Sequence, residues 1–204
     1  MKAVRGRVLY IHGKNGSADE SDHYRPLFPG YEVRGLAYKG VFPWETGAEI
    51  RAAVEKLRAE RESIILIANS IGAFFCMHAG IDDLICKAYF ISPIVDMEKL
   101  IMDMMQWANV TETELRSRGV IPTAFGEDLS WEYFRYVRTV PIQWTAPTSI
   151  LYGSCDELTS LEAIVDFAIK HKARLTVMEG GEHWFHTAEQ MRFLDAWIRR
   201  EQGR

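Results

Sequence analysis

The segment Ile64–Ala73 carries the first residue whose setting predicts chemistry. An apolar, β-branched run ends at Ala68, Ser70 follows two positions later, and Gly72 opens a stretch of small and apolar residues. Small-x-Ser-x-Gly between a buried strand and a helix is typical of a nucleophile elbow, where a serine on a strained turn needs small flanking residues. The pattern predicts Ser70 as a nucleophile and the backbone N–H of Ile71 as an oxyanion donor. The alternative is that Ser70 only caps the helix.

A histidine and a carboxylate that could complete this site follow two later apolar runs. Asp156 comes after Thr148–Tyr152, and His183 comes after Leu175–Met178 and a pair of glycines. A histidine can take the proton of a serine hydroxyl, and a carboxylate can orient the imidazole and stabilise its charged form. We therefore predict His183 as the general base and Asp156 as its partner. The competing residues, each of which could also be an ordinary loop or helix-end residue, are Glu157, Asp96 and His186.

A fourth candidate loop, His12-Gly13-Lys14, directly follows the first apolar run. A His-Gly turn at this place can present a backbone N–H, here that of Lys14, as a second oxyanion donor. We interpret His12 as a residue that braces its own loop, not as a catalytic group. Cys155, which precedes Asp156, could be a reactive thiol, but we interpret it as incidental. The glycines of this loop match neither common phosphate-binding pattern.

The elements that must position these loops alternate along the chain. Short β-branched runs occur at Arg7–Ile11, Glu32–Ala37, Ile64–Ala68, Ala88–Ile91, Thr148–Tyr152 and Leu175–Met178. They are continuous and not alternating, as is typical of parallel strands covered on both faces. Capping-box patterns that begin at Thr46, Thr159 and Thr187 predict helices between or after them. This alternation predicts an α/β fold with an open, mostly parallel sheet. Loops that follow parallel strands meet at one edge of such a sheet.

One segment breaks the alternation. No strand pattern appears from Met97 to Trp144, and a structureless loop of that length is uncommon in a compact domain. We predict a small helical cap at residues 97–146, inserted after the fourth strand of a single domain that spans residues 1–204. Its methionines and aromatic residues suggest one wall of a substrate pocket, although they could simply pack the insertion. The predicted pocket residues are Met105, Trp131, Tyr133 and, outside the insertion, Trp184.

The order Ser70, Asp156, His183, each after a successive strand, resembles the α/β-hydrolase superfamily over nearly the whole chain. The chain looks like a minimal member, without the two antiparallel strands that often precede the His-Gly strand, and with Ala68 in place of the usual glycine. The resemblance implies a six-stranded sheet of order 2-1-3-4-5-6, flanked by helices on both faces. It further implies a serine hydrolase that cleaves an ester or thioester through an acyl-enzyme and needs no metal or organic cofactor. Alternatives on the same fold are peptide or carbon–carbon bond hydrolysis, perhydrolysis, and a catalytically silent binding module.

Composition limits the remaining choices. The chain has 204 residues, of which 48% are hydrophobic and 25% charged, as in soluble globular domains. The net charge of −4 and the lack of long basic runs argue against nucleic acid or an anionic membrane surface as a partner. Three cysteines without close spacing fit a reducing cytoplasm. The expected partner is a small acyl substrate, and one sequence does not indicate an oligomeric state.

Overall fold

Six strands form one parallel sheet in the computed structural model of the chain, which describes residues 5–60 and 63–203. They are β1 (Gly6–Ile11), β2 (Tyr31–Leu36), β3 (Ile64–Asn69), β4 (Lys87–Ile91), β7 (Thr148–Gly153) and β8 (Arg174–Met178). Their order across the sheet is β2-β1-β3-β4-β7-β8, and every neighbouring pair runs parallel. The predicted strands and their order are confirmed, because β7 and β8 are the fifth and sixth strands of this sheet.

Helices connect the strands. They are a 3-10 helix at Ala18–Leu27, α1 (Pro43–Glu60), α2 (Ile71–Met77), α3 (Met97–Trp107), α4 (Glu112–Arg118), α5 (Trp131–Thr139), α6 (Leu161–Lys170) and α7 (Ala188–Gln202). The predicted capping box at Thr187 is confirmed at the start of α7. The other two boxes are wrong. Helix α1 already begins at Pro43, since proline suits a first helical turn, and the side chain of Ser160, not Thr159, caps α6.

The sheet is covered on both faces, so its strands need no polar alternation. Every residue of β1 and β7 is buried. On one face, the 3-10 helix and α7 bury an aromatic layer in which Trp197 meets the Tyr89 ring edge-on at 5.7 Å. On the other face, α1 and α2 contact each other and β3, and Ile50 and Val54 of α1 are fully buried. Burial of each large apolar side chain to this extent stabilises the folded state by about 1.5–3 kcal/mol.

The chain divides into two compact units, Met1–Val95 with Gln143–Arg204 and the inserted unit Asp96–Ile142. The inserted unit contains α3, α4 and α5 and also an antiparallel hairpin of β5 (Val120–Pro122) and β6 (Asp128–Ser130). The predicted helical insertion therefore also contains a short hairpin, which its sequence pattern did not indicate. Strands of three residues are too short to show a period, and Gly126, with φ of 85°, supplies the turn.

The contacts of Trp144 and of Arg138 belong to different units. Trp144, which we grouped with the insertion, lies outside the unit, where its ring packs on Phe90 at 5.4 Å and its indole N–H donates to Thr148. Within the unit, the guanidinium of Arg138 binds Glu98 and Glu112, both at 2.8 Å. No helix in residues 5–60 or 63–203 has the length and apolar character needed to cross a bilayer.

Candidate active site

Ser70 lies on the sharp turn between β3 and α2. Its backbone has φ of 52° and ψ of −122°, a region that a non-glycine residue enters only when its surroundings impose it. Its hydroxyl makes no capping bond to α2, so the capping alternative does not describe this serine. A methyl group on Gly72 would lie 2.4 Å from the carbonyl oxygen of His12, and Ala68 is fully buried. The small residues of the motif are therefore required by packing.

The backbone after β4 holds this strained turn from both sides. The N–H of Ser70 donates to the carbonyl oxygen of Ile91 at 2.9 Å, and the N–H of Ile94 donates to the carbonyl oxygen of Ser70 at 3.3 Å. Between them, Ser92 is itself in the left-handed region with φ of 43° and is fully buried. The sequence reasoning missed this support, for which the dipeptide Ser92-Pro93 directly after a strand is the available signal.

A continuous chain of hydrogen bonds joins Ser70, His183 and Asp156. The Ser70 hydroxyl lies 2.8 Å from His183 Nε2, and His183 Nδ1 lies 2.7 Å from Asp156 Oδ2. The Asp156 side chain is fully buried, and its second oxygen accepts the backbone N–H groups of Leu158 and Thr159 at 2.9 and 3.1 Å. These bonds hold the carboxylate in an orientation that faces the imidazole. The arrangement can move a proton from the serine hydroxyl to the histidine.

The loops that carry the carboxylate and the histidine are bound to each other. The backbone N–H of Cys155 donates to the carbonyl oxygen of Gly181 at 2.8 Å, and the N–H of Gly180 donates to the Ser154 hydroxyl at 2.8 Å. A methyl group on Gly153 would lie 2.4 Å from the Gly181 backbone, so the two loops touch backbone to backbone. The position of His183 is consequently tied to the strand that presents Asp156.

The loop after β1 lies directly against the nucleophile, since a methyl group on Gly13 would come within 3.1 Å of the Ser70 Cβ. The carbonyl oxygen of Gly13 receives two bonds, from His12 Nδ1 at 2.8 Å and from the N–H of Gly16 at 3.2 Å. The His12 ring in turn stacks on Tyr38 at 4.2 Å, with 9° between the ring planes. His12 therefore braces its loop.

Both predicted oxyanion donors are backbone groups in these two loops. The direction of the Lys14 N–H is set by the same planar peptide as the braced carbonyl of Gly13. Ile71 is the first residue of α2, so its N–H has no acceptor within that helix. Their role toward an oxyanion stays a prediction.

The competing acid and base occupy other places. Asp96 caps α3 in the inserted unit, where it accepts the N–H of Lys99 at 2.9 Å. His186 Nδ1 lies 2.7 Å from the carbonyl oxygen of Trp184 and 3.5 Å from Glu182, and Glu157 is exposed. Among the described residues, Asp156 and His183 are thus the acid and histidine that the structure aligns with Ser70.

The predicted pocket residues belong to different parts of the molecule. Met105 is buried in α3, whereas Trp131 and Tyr133 lie in the first turn of α5 and are partly buried. Trp184 follows His183 and leaves 68% of its surface exposed, with its ring stacked on His186 at 4.4 Å. A part for these residues in substrate binding stays a prediction.

A buried polar group beneath the site was not anticipated from the sequence. The Tyr10 hydroxyl donates to the Glu20 carboxylate and also interacts with Asn69, which precedes the nucleophile. Burial raises the pKa of Tyr10, and neighbouring Tyr24 and Glu20 raise it further. The phenol therefore stays protonated and is a hydrogen-bond donor, not a base. Tyr10 also belongs to the apolar layer of the sheet, so its pattern alone did not distinguish it.

Known proteins similar to this chain were found by sequence and by structure. No family model matches the chain. A Mycoplasma genitalium protein named "Putative esterase/lipase 3" is 40% identical over 88 residues, which cover 38% of this chain and 32% of that protein. The match thus spans about a third of the length of that relative.

Solved structures match over almost the whole chain. Est1E from Butyrivibrio proteoclasticus has a TM-score of 0.74 at 18% identity and covers 97% of this chain and 86% of its own. Mouse alpha/beta hydrolase domain-containing protein 10 has a TM-score of 0.72 at 15% identity, with 100% and 92% covered. An esterase from Pyrococcus furiosus has a TM-score of 0.62 at 18% identity, with 99% and 81% covered. This chain has the α/β-hydrolase fold, as its motifs predicted.

Proposed function

We propose that the chain is a serine hydrolase that cleaves a carboxylic ester or thioester through an acyl-enzyme. The observation that carries the proposal is the hydrogen-bonded series from the Ser70 hydroxyl through His183 to Asp156, presented on a strained turn. A serine that only stabilised its helix would need neither the strain nor the histidine. The buried carboxylate would likewise have no reason to face the imidazole.

The geometry supports an acyl transfer in two halves. In the first, Ser70 Oγ attacks the acyl carbon while His183 Nε2 takes the hydroxyl proton, and the carbonyl oxygen becomes an oxyanion. The backbone N–H groups of Ile71 and Lys14 are the proposed donors to that oxyanion, and loss of one such donor costs about 10²–10³ in rate. The intermediate then expels the alcohol or thiol, which receives the proton from His183.

In the second half, water attacks the acyl group on Ser70. His183 removes a proton from this water and returns it to the serine oxygen as the acid leaves, so the enzyme is restored. Asp156 keeps one imidazole tautomer and stabilises the imidazolium in both halves. Every proton transfer passes through His183 Nε2, which already lies 2.8 Å from Ser70 Oγ.

The names of two similar proteins support an ester as the bond that is cleaved. The Mycoplasma genitalium relative bears the name of an esterase or lipase, and the Pyrococcus furiosus neighbour is described as an esterase. One structure of Est1E is described with ferulic acid bound. Esters of small aromatic acids and of short fatty acids are therefore the first substrates to assay.

Covalent labelling with a fluorophosphonate tests the proposal. We expect the unmodified protein to be labelled at Ser70, Ser70→Ala to resist labelling, and Cys155→Ala to label as the parent does. The cysteine variant is the control because Cys155 is an exposed nucleophile next to Asp156. A parent protein that stays unlabelled would favour a silent binding module, and equal labelling of Ser70→Ala would move the nucleophile elsewhere. Hydrolysis of p-nitrophenyl esters by the parent, lost in Ser70→Ala, completes the test.

A further inference from the structure

Gln190 makes an unusual set of contacts for a residue in the first turn of α7. Its side chain is almost fully buried, at 5% exposure. The amide oxygen accepts the backbone N–H of His186 at 3.0 Å and that of Thr187 at 3.3 Å, and the amide nitrogen donates to the Glu182 carboxylate at 3.1 Å. The two N–H donors and the carboxylate acceptor fix which end of the amide faces which partner.

These contacts reach the histidine loop on both sides of His183. Glu182 directly precedes His183, whereas His186 and Thr187 follow it, so one buried amide joins the two ends of a five-residue turn. His186 Nδ1 also approaches the Glu182 carboxylate at 3.5 Å, which links the same two ends a second time. The imidazole of His183 lies within this closed turn.

The other support of the loop comes from the acid-bearing strand. Bonds from Ser154 and Cys155 hold Gly180 and Gly181, as described above, but they end before His183. Beyond Gly181, the Gln190 side chain holds both Glu182 and the residues that follow the histidine. A small displacement of the imidazole matters, because a misplacement of about 1 Å can cost roughly a hundredfold in rate.

We propose that Gln190 is a positioning residue that keeps His183 aligned between Ser70 and Asp156, an inference that rests on the proposed function. Its capping bonds alone would stabilise α7 without regard to the histidine. The bond to Glu182 is what distinguishes the two roles, since it lies outside the helix and on the far side of His183. Gln190 itself makes no contact with the reacting atoms in this scheme.

Three variants separate positioning from capping. Gln190→Ala removes all of the amide contacts. Gln190→Glu keeps an acceptor for the two N–H groups but replaces the donor to Glu182 with a second carboxylate, which repels it. Thr187→Ala is the matched control, because it removes the other half of the same capping box, the bond from the N–H of Gln190 to the Thr187 hydroxyl, and leaves the Gln190 amide in place.

The measurements are the fluorophosphonate labelling rate, kcat and KM for a p-nitrophenyl ester, the melting temperature, and the downfield proton resonance of the His183 Nδ1–H. We expect Gln190→Ala and Gln190→Glu to lower kcat and the labelling rate by about tenfold or more, with KM within about twofold. The resonance should broaden or disappear. Thr187→Ala should lower the melting temperature by about 2–4 °C yet label at the parent rate with the resonance intact. Because a second carboxylate beside Glu182 also lowers the melting temperature of Gln190→Glu, all variants are assayed well below their melting temperatures, where each is fully folded, so that a loss of labelling cannot come from unfolding.

Two results would overturn the inference. One is a Gln190→Glu protein that labels and turns over like the parent, and the other is an equal loss of activity in Thr187→Ala. A parent protein that is not labelled at all would instead refute the proposed function. In that event the His183 resonance, which reports the bond to Asp156 without turnover, still decides whether Gln190 holds the histidine.

Discussion

Replacing Ser70 with glycine or with alanine separates the nucleophile from the strain that presents it. Both substitutions remove the hydroxyl and its bond to His183, which contributes about 1 kcal/mol. Only alanine retains a Cβ in the backbone region where Ser70 has φ of 52° and ψ of −122°. A side chain held in so sparsely populated a region costs about 1–3 kcal/mol. Glycine removes that cost but loses about 0.5–1 kcal/mol through greater freedom in the unfolded chain.

The difference between the two variants follows from these terms. We expect Ser70→Gly to be more stable than Ser70→Ala by about 1 kcal/mol. For a protein of 204 residues this corresponds to about 2–4 °C in melting temperature. Both variants should be inactive and unlabelled by the fluorophosphonate. Urea unfolding at constant m-value, together with thermal unfolding, measures the difference directly.

Ser117 provides the control for this comparison, because it is an exposed serine in α4 with ordinary helical surroundings. There glycine should be less stable than alanine by about 0.5–1 kcal/mol, the opposite sign. If Ser70→Gly is no more stable than Ser70→Ala, the turn stores no strain in its side chain. The backbone hydrogen bonds that join Ser70 to Ile91 and to Ile94 would then be ordinary loop contacts.

Two further predictions concern packing and pH. Gly72→Ala should lower the unfolding free energy, measured in urea, by about 2 kcal/mol or more, because its methyl group would meet the His12 carbonyl at 2.4 Å. Gly203→Ala is the control: the nearest atom to its methyl group lies 3.7 Å away, and its unfolding free energy should change by less than about 0.5 kcal/mol. Burial lowers the pKa of His78 to about 4, below its unfolded value of about 6.5, so between these values the unfolded state binds the additional proton and stability falls as pH falls. His78→Gln should remove about 2–3 kcal/mol of the loss in unfolding free energy between pH 7 and pH 4. An unchanged pH dependence in this variant would show that His78 is not the group responsible for that loss.

The sheet could be predicted from the sequence because long buried runs carry a strong signal. The central strands are buried at nearly every position, and six runs with intervening helices leave few arrangements. Helix starts were harder. Thr46 and Thr159 both match the capping-box pattern in sequence. However, α1 begins earlier, at Pro43, and Ser160 caps α6, because several residues near a helix start can act as its first residue or its cap. The hairpin at Val120 was missed because three residues do not define a period.

The candidate site divides in the same way. The positions of Ser70, Asp156 and His183 can be predicted from the sequence, because each follows a parallel strand and such loops meet at one edge of the sheet. Their mutual distances depend on contacts between segments far apart in sequence, such as Gly153 against Gly181. The support of the Ser70 backbone by the turn after β4 is of the same kind, since Ser92-Pro93 marks a turn but does not indicate which segment it contacts.

Most of the contacts that hold the candidate triad in place are made by backbone atoms, so few particular side chains are needed around it. The turn at Ser70 is fixed by bonds to Ile91 and Ile94 that use backbone atoms alone. Such supports tolerate changes of side chain, provided that the strands keep their register and the glycines keep their space. Gln190 differs, because its contacts to Glu182 and His186 need a donor and an acceptor on one buried side chain. The loop that carries His183 lies between the end of β8 and the start of α7. Its geometry therefore depends on a single side chain more than that of any other part of the site.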